Sequence, residues 1–167
     1  MELNSKKYPG ITYEKGEELF LSPDESGADF WISLHGDLTG NDRAMEIAAA
    51  ALDEVQELEQ KAKTFVRAVL ADEGHERYET VSGFMEFHRE ELDSDTLREI
   101  FSADDPDALT FDEMAGKLKM TAFSSDIDEE DQPVFITDLS FGKDFSDELL
   151  VVYFDSSREI FRISHES

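Results

Sequence analysis

A change of hydrophobic period near residue 37 constrains this chain more than any other feature. From Phe30 onward Phe30, Ile32, Leu34 and Gly36 fall on one side of an extended segment, and Trp31, Ser33, His35 and Asp37 fall on the other. After Asp37 the stretch "LTGNDRAMEIAAAALDEVQELEQKAKTFVRAVLADEG" takes up helical spacing. Met45, Ala48, Leu52 and Val55 share one stripe, and Leu58, Ala62, Phe65, Val66 and Val69 carry a stripe onward. Asn41 or Asp42 is the expected N-cap and Gly74 closes the run. A straight helix of roughly thirty residues far exceeds the usual length of about 11–12, so a break is expected near Gln56 to Glu59.

The flanks carry strand signals. "ITYEKGEELFLS" turns at Lys15–Gly16, and Ser22 to Gly27 forms a second turn before Phe30, which predicts three short antiparallel strands. From Glu79 to Phe101, the residues Val81, Phe84, Met85, Leu92, Leu97, Ile100 and Phe101 predict two short helices, with Asp93 or Ser94 capping the second. "DDPD" ends them, and Thr110 and Glu113 stand in capping-box spacing ahead of one more short helix. "KMTAFSSD", "PVFITDLSFG", "LLVVYFD" and "EIFRIS", separated by "IDEEDQ", "KDFSDE" and "SSR", predict four further antiparallel strands. The expectation is a single acidic α+β domain over residues 1–167, its antiparallel sheet built from N-terminal and C-terminal strands with the central helical segment packed on one face. Phe30, Ile32, Leu34, Leu52, Val55, Phe65, Val69, Phe135, Leu150, Val152 and Phe154 are its expected core.

Charge decides which partners such a domain can have. Asp and Glu number 41 against 15 Lys and Arg, a formal net charge of −26. Nucleic acid is excluded as a ligand, because phosphates bind cationic surfaces and no Lys/Arg cluster exceeds the pair Lys6–Lys7. Anionic membranes are disfavoured by the same sign argument. Basic proteins, in contrast, are attracted over a Debye length of about 8 Å at physiological salt; the alternative role for the acidity is solubility alone. With no cysteine, thiolate chemistry and disulfides are excluded. "MELNSKKYPG" begins with charge and a turn, and no apolar run approaches the length of a membrane span, so a cytoplasmic location is expected.

Catalytic and metal signatures fail on spacing. Ser33, His35 and Asp37 have the residue types of a hydrolase triad, but same-face neighbours on one strand stand about 7 Å apart, where a triad needs hydrogen bonds of ~2.6–3.2 Å. No G-x-S-x-G elbow, phosphate-binding glycine pattern or H-E-x-x-H is present, so no cofactor is expected. Asp126, Asp128 and Glu130 alternate as in a calcium loop, yet Asp131 stands where the turn needs glycine and Thr137 where a bidentate Glu belongs. Read from Asp105 the pattern fails at Leu109, Thr110 and Gly116. No specific calcium or zinc site is expected, and the segment 126–132 reads as a solvated hairpin tip. His88, beside Arg89, reads as a surface residue. An enzymatic alternative, a small hydrolase or metal-dependent enzyme, needs the fold to bring His35 to a distant residue such as His88 or Asp155.

The reading that fits charge without chemistry is a non-enzymatic module that binds a basic protein. Its expected contact residues are Trp31 as an aromatic anchor with Asp126, Asp128, Glu129, Glu130 and Asp131 as a charged rim. The phrases "ADFWISLHGDLTGNDRAMEIAAAAL", "VQELEQKAKTFV" and "SDELLVVYFDSSREIFRIS" resemble a group of uncharacterised bacterial domains of unknown function, some of them proposed as immunity proteins against polymorphic toxins. The resemblance implies a bacterial cytoplasmic protein with an inhibitory role, and it carries no assigned site residues. DNA mimicry fits poorly, since it needs carboxylates spaced like phosphates along an elongated body.

Overall fold

A computed structural model describes residues 1–167. Six strands form one sheet in the order β1-β2-β3-β4-β5-β6. Strand β1 spans Leu19–Leu21, β2 Trp31–Leu34, β3 Lys119–Ile127, β4 Pro133–Ser140, β5 Leu149–Phe154 and β6 Ile160–Glu166. Between β1 and β2 lies the short helix α1, Pro23–Ser26, closed by a capping box in which Ser22 and Glu25 exchange bonds. Between β2 and β3 come α2 (Gly36–Thr39), α3 (Asp42–Asp53), α4 (Val55–Leu70), α5 (Tyr78–Glu91), α6 (Ser94–Phe101) and α7 (Phe111–Ala115).

The fold is α+β, and most of the capping chemistry stands where the sequence put it. Asn41 accepts from the Ala44 amide at 3.0 Å, Asp93 from Thr96 at 2.8 Å, and Thr110 and Glu113 complete their capping box. The long helix breaks at Glu54, a little ahead of the expected place, and ends at Leu70 rather than at Gly74.

Two expectations need correction. The N-terminal third supplies two strands of the sheet, not three, because residues 11–16 make only an isolated bridge, Thr12 to Glu2. Nor is the sheet wholly antiparallel: β2 runs parallel to β3, with Trp31 opposite Ala122 and Leu34 opposite Ser125. The cause is topological. After β2 the chain crosses one face of the sheet as helices and returns beside its starting strand, and a parallel pair requires such a crossover.

Helices α3 and α4 pack on β3 and β4, and α5 on β6. The core they enclose is one cluster of 37 buried residues. Every expected core residue is buried in it except Phe65, which is half-buried at its margin against His75. Phe123, Phe135, Val152 and Phe154 look toward the helices. By the period of two, the other face carries Phe20, Trp31, Ser33, Ala122, Ser124, Asp126, Val134, Ile136, Asp138, Val151, Tyr153, Arg162, Ser164 and Glu166. The helices between β2 and β3 lie against the opposite face, and on this one most side chains are half-buried, with Val151 buried at its centre and Phe20 exposed at its edge.

Candidate protein-binding face

The open face is built from cross-strand rows. One row runs Trp31, Ala122, Asp138, Val151 and Ser164; the next runs Ser33, Ser124, Ile136, Tyr153 and Arg162, with Phe20 opposite Ser33. Because α1 folds β1 back antiparallel to β2, Phe20 lies beside Trp31, and the two rings stack with centroids 5.1 Å apart at 25°. Phe20 is 59 % exposed and Trp31 half-buried, and neither ring belongs to the core cluster, so the stack meets solvent mainly through Phe20. The Lys143 ammonium stands over the Trp31 ring at 5.4 Å, and the Arg162 guanidinium stands over Tyr153 at 4.8 Å. Asp138 lies between these two aromatic–cation pairs. Burial first, and then the nearby Glu166, push its carboxyl up to about 6 against the opposing effect of Lys143. Thr121 donates to the backbone carbonyl of Asp138, but no protein donor reaches its carboxylate.

At the end where β2 runs out, the parallel pairing with β3 brings separate sequence segments together. His35 Nδ1 lies 3.2 Å from Asp126 Oδ1 and 3.7 Å from Asp37 Oδ2. These side chains can offer a cation three ligand atoms within 4.8 Å of one another, all at a solvent-facing position. Gly36 between them allows the close approach of the preceding loop, since a Cβ there would meet the Gly16 carbonyl oxygen at 2.8 Å. Next to this cluster an open cleft of about 670 Å³ has Asp37 and Asn41 on one side and Asp128, Glu129 and Asp131 of the β3–β4 turn on the other.

The expected contact residues thus divide. Trp31 and Asp126 share the open face, four residues of β3 apart or about 13 Å along the strand direction. Asp128, Glu129 and Asp131 line the acidic cleft; Glu130 is exposed beside them but outside its lining. Asp128 also has a local task, for its carboxylate accepts from the amides of Glu130 and Gln132 at 2.8 and 2.9 Å and holds the turn in which Asp131 adopts a left-handed φ of 57°. Phe20, Lys143, Asp138, Tyr153 and Arg162 were not foreseen. The alternation Leu19–Phe20–Leu21 did carry a signal for Phe20, an aromatic out of phase with the buried positions, whereas the others needed the strand register.

The triad residues do not assemble. The Ser33 hydroxyl donates to Glu18 at 3.3 Å, and His35 Nδ1 accepts from the Asp37 amide at 3.2 Å. Asp155, one partner considered for His35, instead accepts from the amides of Ser157 and Glu159 in the β5–β6 turn. His88, the other, is not a surface residue: it is fully buried, with Nδ1 2.8 Å from the Phe84 carbonyl and Nε2 2.9 Å from the Ser146 hydroxyl. Adjacent residues on a helix point about 100° apart, so Arg89 turns outward to Glu86 while His88 turns inward. The Phe84 carbonyl can only accept, so Nδ1 carries the proton and Nε2 accepts from Ser146. This has the order of a nucleophile–base pair, but rings of Phe84, Phe87 and Phe141 enclose the imidazole, and its evident work is to pin the β4–β5 loop to α5. Burial lowers the His88 pKa, opposed by the Phe84 carbonyl, with smaller effects of His165 downward and Glu148 upward.

Comparison with protein-family models, with curated proteins and with solved structures finds no match. No helix is long and apolar enough to cross a membrane.

Proposed function

We propose that this protein is a non-enzymatic, acidic protein-binding module that captures a basic protein on the open face of its sheet, and that the captured protein is a toxin to which it confers immunity. The observation that carries the reading is the combination, on the helix-free face and its end, of the Phe20–Trp31 stack, in which Phe20 is exposed and Trp31 half-buried, with the acidic cleft of Asp37, Asp128, Glu129 and Asp131. Aromatic anchors supply buried contact area, and a charged rim steers the encounter and selects the partner. A charge of −26 gives that rim reach.

The test begins with recovery of the partner by native co-purification and its identification. Stopped-flow association with the purified partner is then expected to slow steeply as salt rises. Glu129→Lys combined with Glu130→Lys is expected to reduce the association rate with little change in dissociation, because both side chains are exposed at the turn. Trp31→Ala is expected to raise the dissociation rate. A partner without net positive charge, or association indifferent to salt and to the double charge reversal, refutes the reading.

A further inference from the structure

We propose that Lys143 is an internal stand-in for a partner's arginine: the Trp31 ring and the Asp138 carboxylate form a receptor for one guanidinium, and docking of the partner displaces Lys143 from it. The inference rests on the reading of the open face as the surface for a basic protein and specifies what one part of that face recognises.

Three observations lead to it. The Trp31 indole is already engaged with a cation, Lys143 at 5.4 Å, and is stiffened by its stack on Phe20. A ring in that setting attracts positive charge through its quadrupole. In the same row, two strands or about 10 Å away, stands a half-buried carboxylate to which no protein donor reaches. Lys143 perturbs that carboxyl electrostatically but is not hydrogen-bonded to it. A half-buried anion without a donor gains strongly from a charge-assisted bond.

Lysine satisfies this site incompletely. Its ammonium is a compact, strongly hydrated charge, whereas a guanidinium lies flat on an indole and also presents a fork of donors that matches a carboxylate. Lys143 comes from the loop between β4 and β5 on a flexible, exposed stem, so its departure disturbs no packed element. Its removal exposes both groups to the incoming side chain. The chain's own scarcity of cations, 15 against 41 acids, makes it notable that two of them, Lys143 and Arg162, cap the aromatic rings of this one face.

The test uses capped tetra-arginine and tetra-lysine peptides as probes at low salt, followed in two ways. Trp31 is the only tryptophan, so intrinsic fluorescence reports on this site alone, while anisotropy of dye-labelled peptide reports binding anywhere on the protein. The expected results are a fluorescence change that saturates with tetra-arginine, weaker binding of tetra-lysine, and binding tightened roughly two- to fivefold in Lys143→Gln, the range of an exposed cation–π contact removed from competition. Lys117→Gln removes the same charge elsewhere and is expected to change affinity less than Lys143→Gln. Asp138→Asn and, by anisotropy, Trp31→Leu are expected to weaken binding. Equal effects of Lys143→Gln and Lys117→Gln overturn the stand-in role. Equal binding of the two peptides overturns the preference for arginine. Anisotropy binding with no Trp31 response and no loss in Trp31→Leu overturns the receptor while leaving the basic-partner reading intact. No binding of either peptide by anisotropy overturns both.

Discussion

Replacing Asp138 by Asn is expected to stabilise the protein at neutral pH while weakening its grip on cations. Asp138 sits in the middle of the open face of β4, and burial is the main cause that lifts its carboxyl from the ordinary 3.8 to about 6, with Glu166 adding to it. At about 1.36 kcal/mol for each tenfold change in proton affinity, that rise makes ionisation about 3 kcal/mol more costly in the fold than in the unfolded chain. Water still reaches part of this half-exposed face, so the gain expected for Asp138→Asn is about 1–2 kcal/mol. The sign follows from proton binding. Between 3.8 and about 6 the folded state holds more protons at Asp138 than the unfolded state does, so its contribution to stability falls as pH rises through that window and stays at its least favourable value above it. Urea unfolding of wild type and Asp138→Asn at pH 7.5 and at pH 3.5 measures the difference directly. The variant should have the higher midpoint at pH 7.5, with an unchanged m-value and a melting temperature raised by roughly 2–8 °C. At pH 3.5 the gain should largely vanish. An equal gain at both pH values, or none at pH 7.5, refutes the claim that a half-buried, donor-free charge is the cause.

Ile32→Ala should cost about 2–5 kcal/mol in the same assay, since Ile32 is fully buried between β1 and β3; a loss below about 1 kcal/mol would contradict its place in the core. Ser146→Ala strands the buried Nε2 of His88 and should cost about 1–3 kcal/mol. Because burial holds the His88 pKa below its ordinary 6.5, His88 contributes stability that is fully present above that value and is lost as pH falls from there through the lower pKa of the folded state. The stability difference between wild type and His88→Gln should therefore narrow on acidification, and a difference that widens would refute the neutral assignment. Calorimetric titration with calcium or zinc should show no saturable micromolar site, because the ligand atoms of His35, Asp37 and Asp126 lie at an exposed position; such a site, lost in His35→Ala, would overturn this expectation.

Local physics was legible in the chain. The alternation of Phe30, Ile32 and Leu34 placed their side chains in the core because a strand has a side-chain period of two, and the rule holds whatever the strand pairs with. The caps at Asn41, Asp93 and Thr110 were legible because each bond spans only three residues. The helical break was legible as a matter of length and missed by two residues, since Glu54 has no distinctive capping chemistry of its own. What the sequence could not determine is pairing. The parallel register of β2 on β3 joins residues about ninety positions apart, and it alone sets His35 beside Asp126 and Trp31 in one row with Asp138. The burial of His88 was decided in the same way, by which side of α5 meets the loop carrying Ser146. Acidity and an outward Trp31 could be read in order along the chain. The receptor formed by Trp31, Lys143 and Asp138 exists only because strands from both ends of the protein share one sheet, and hydrogen-bond register between distant segments is fixed by the packing of the whole and not by any local preference.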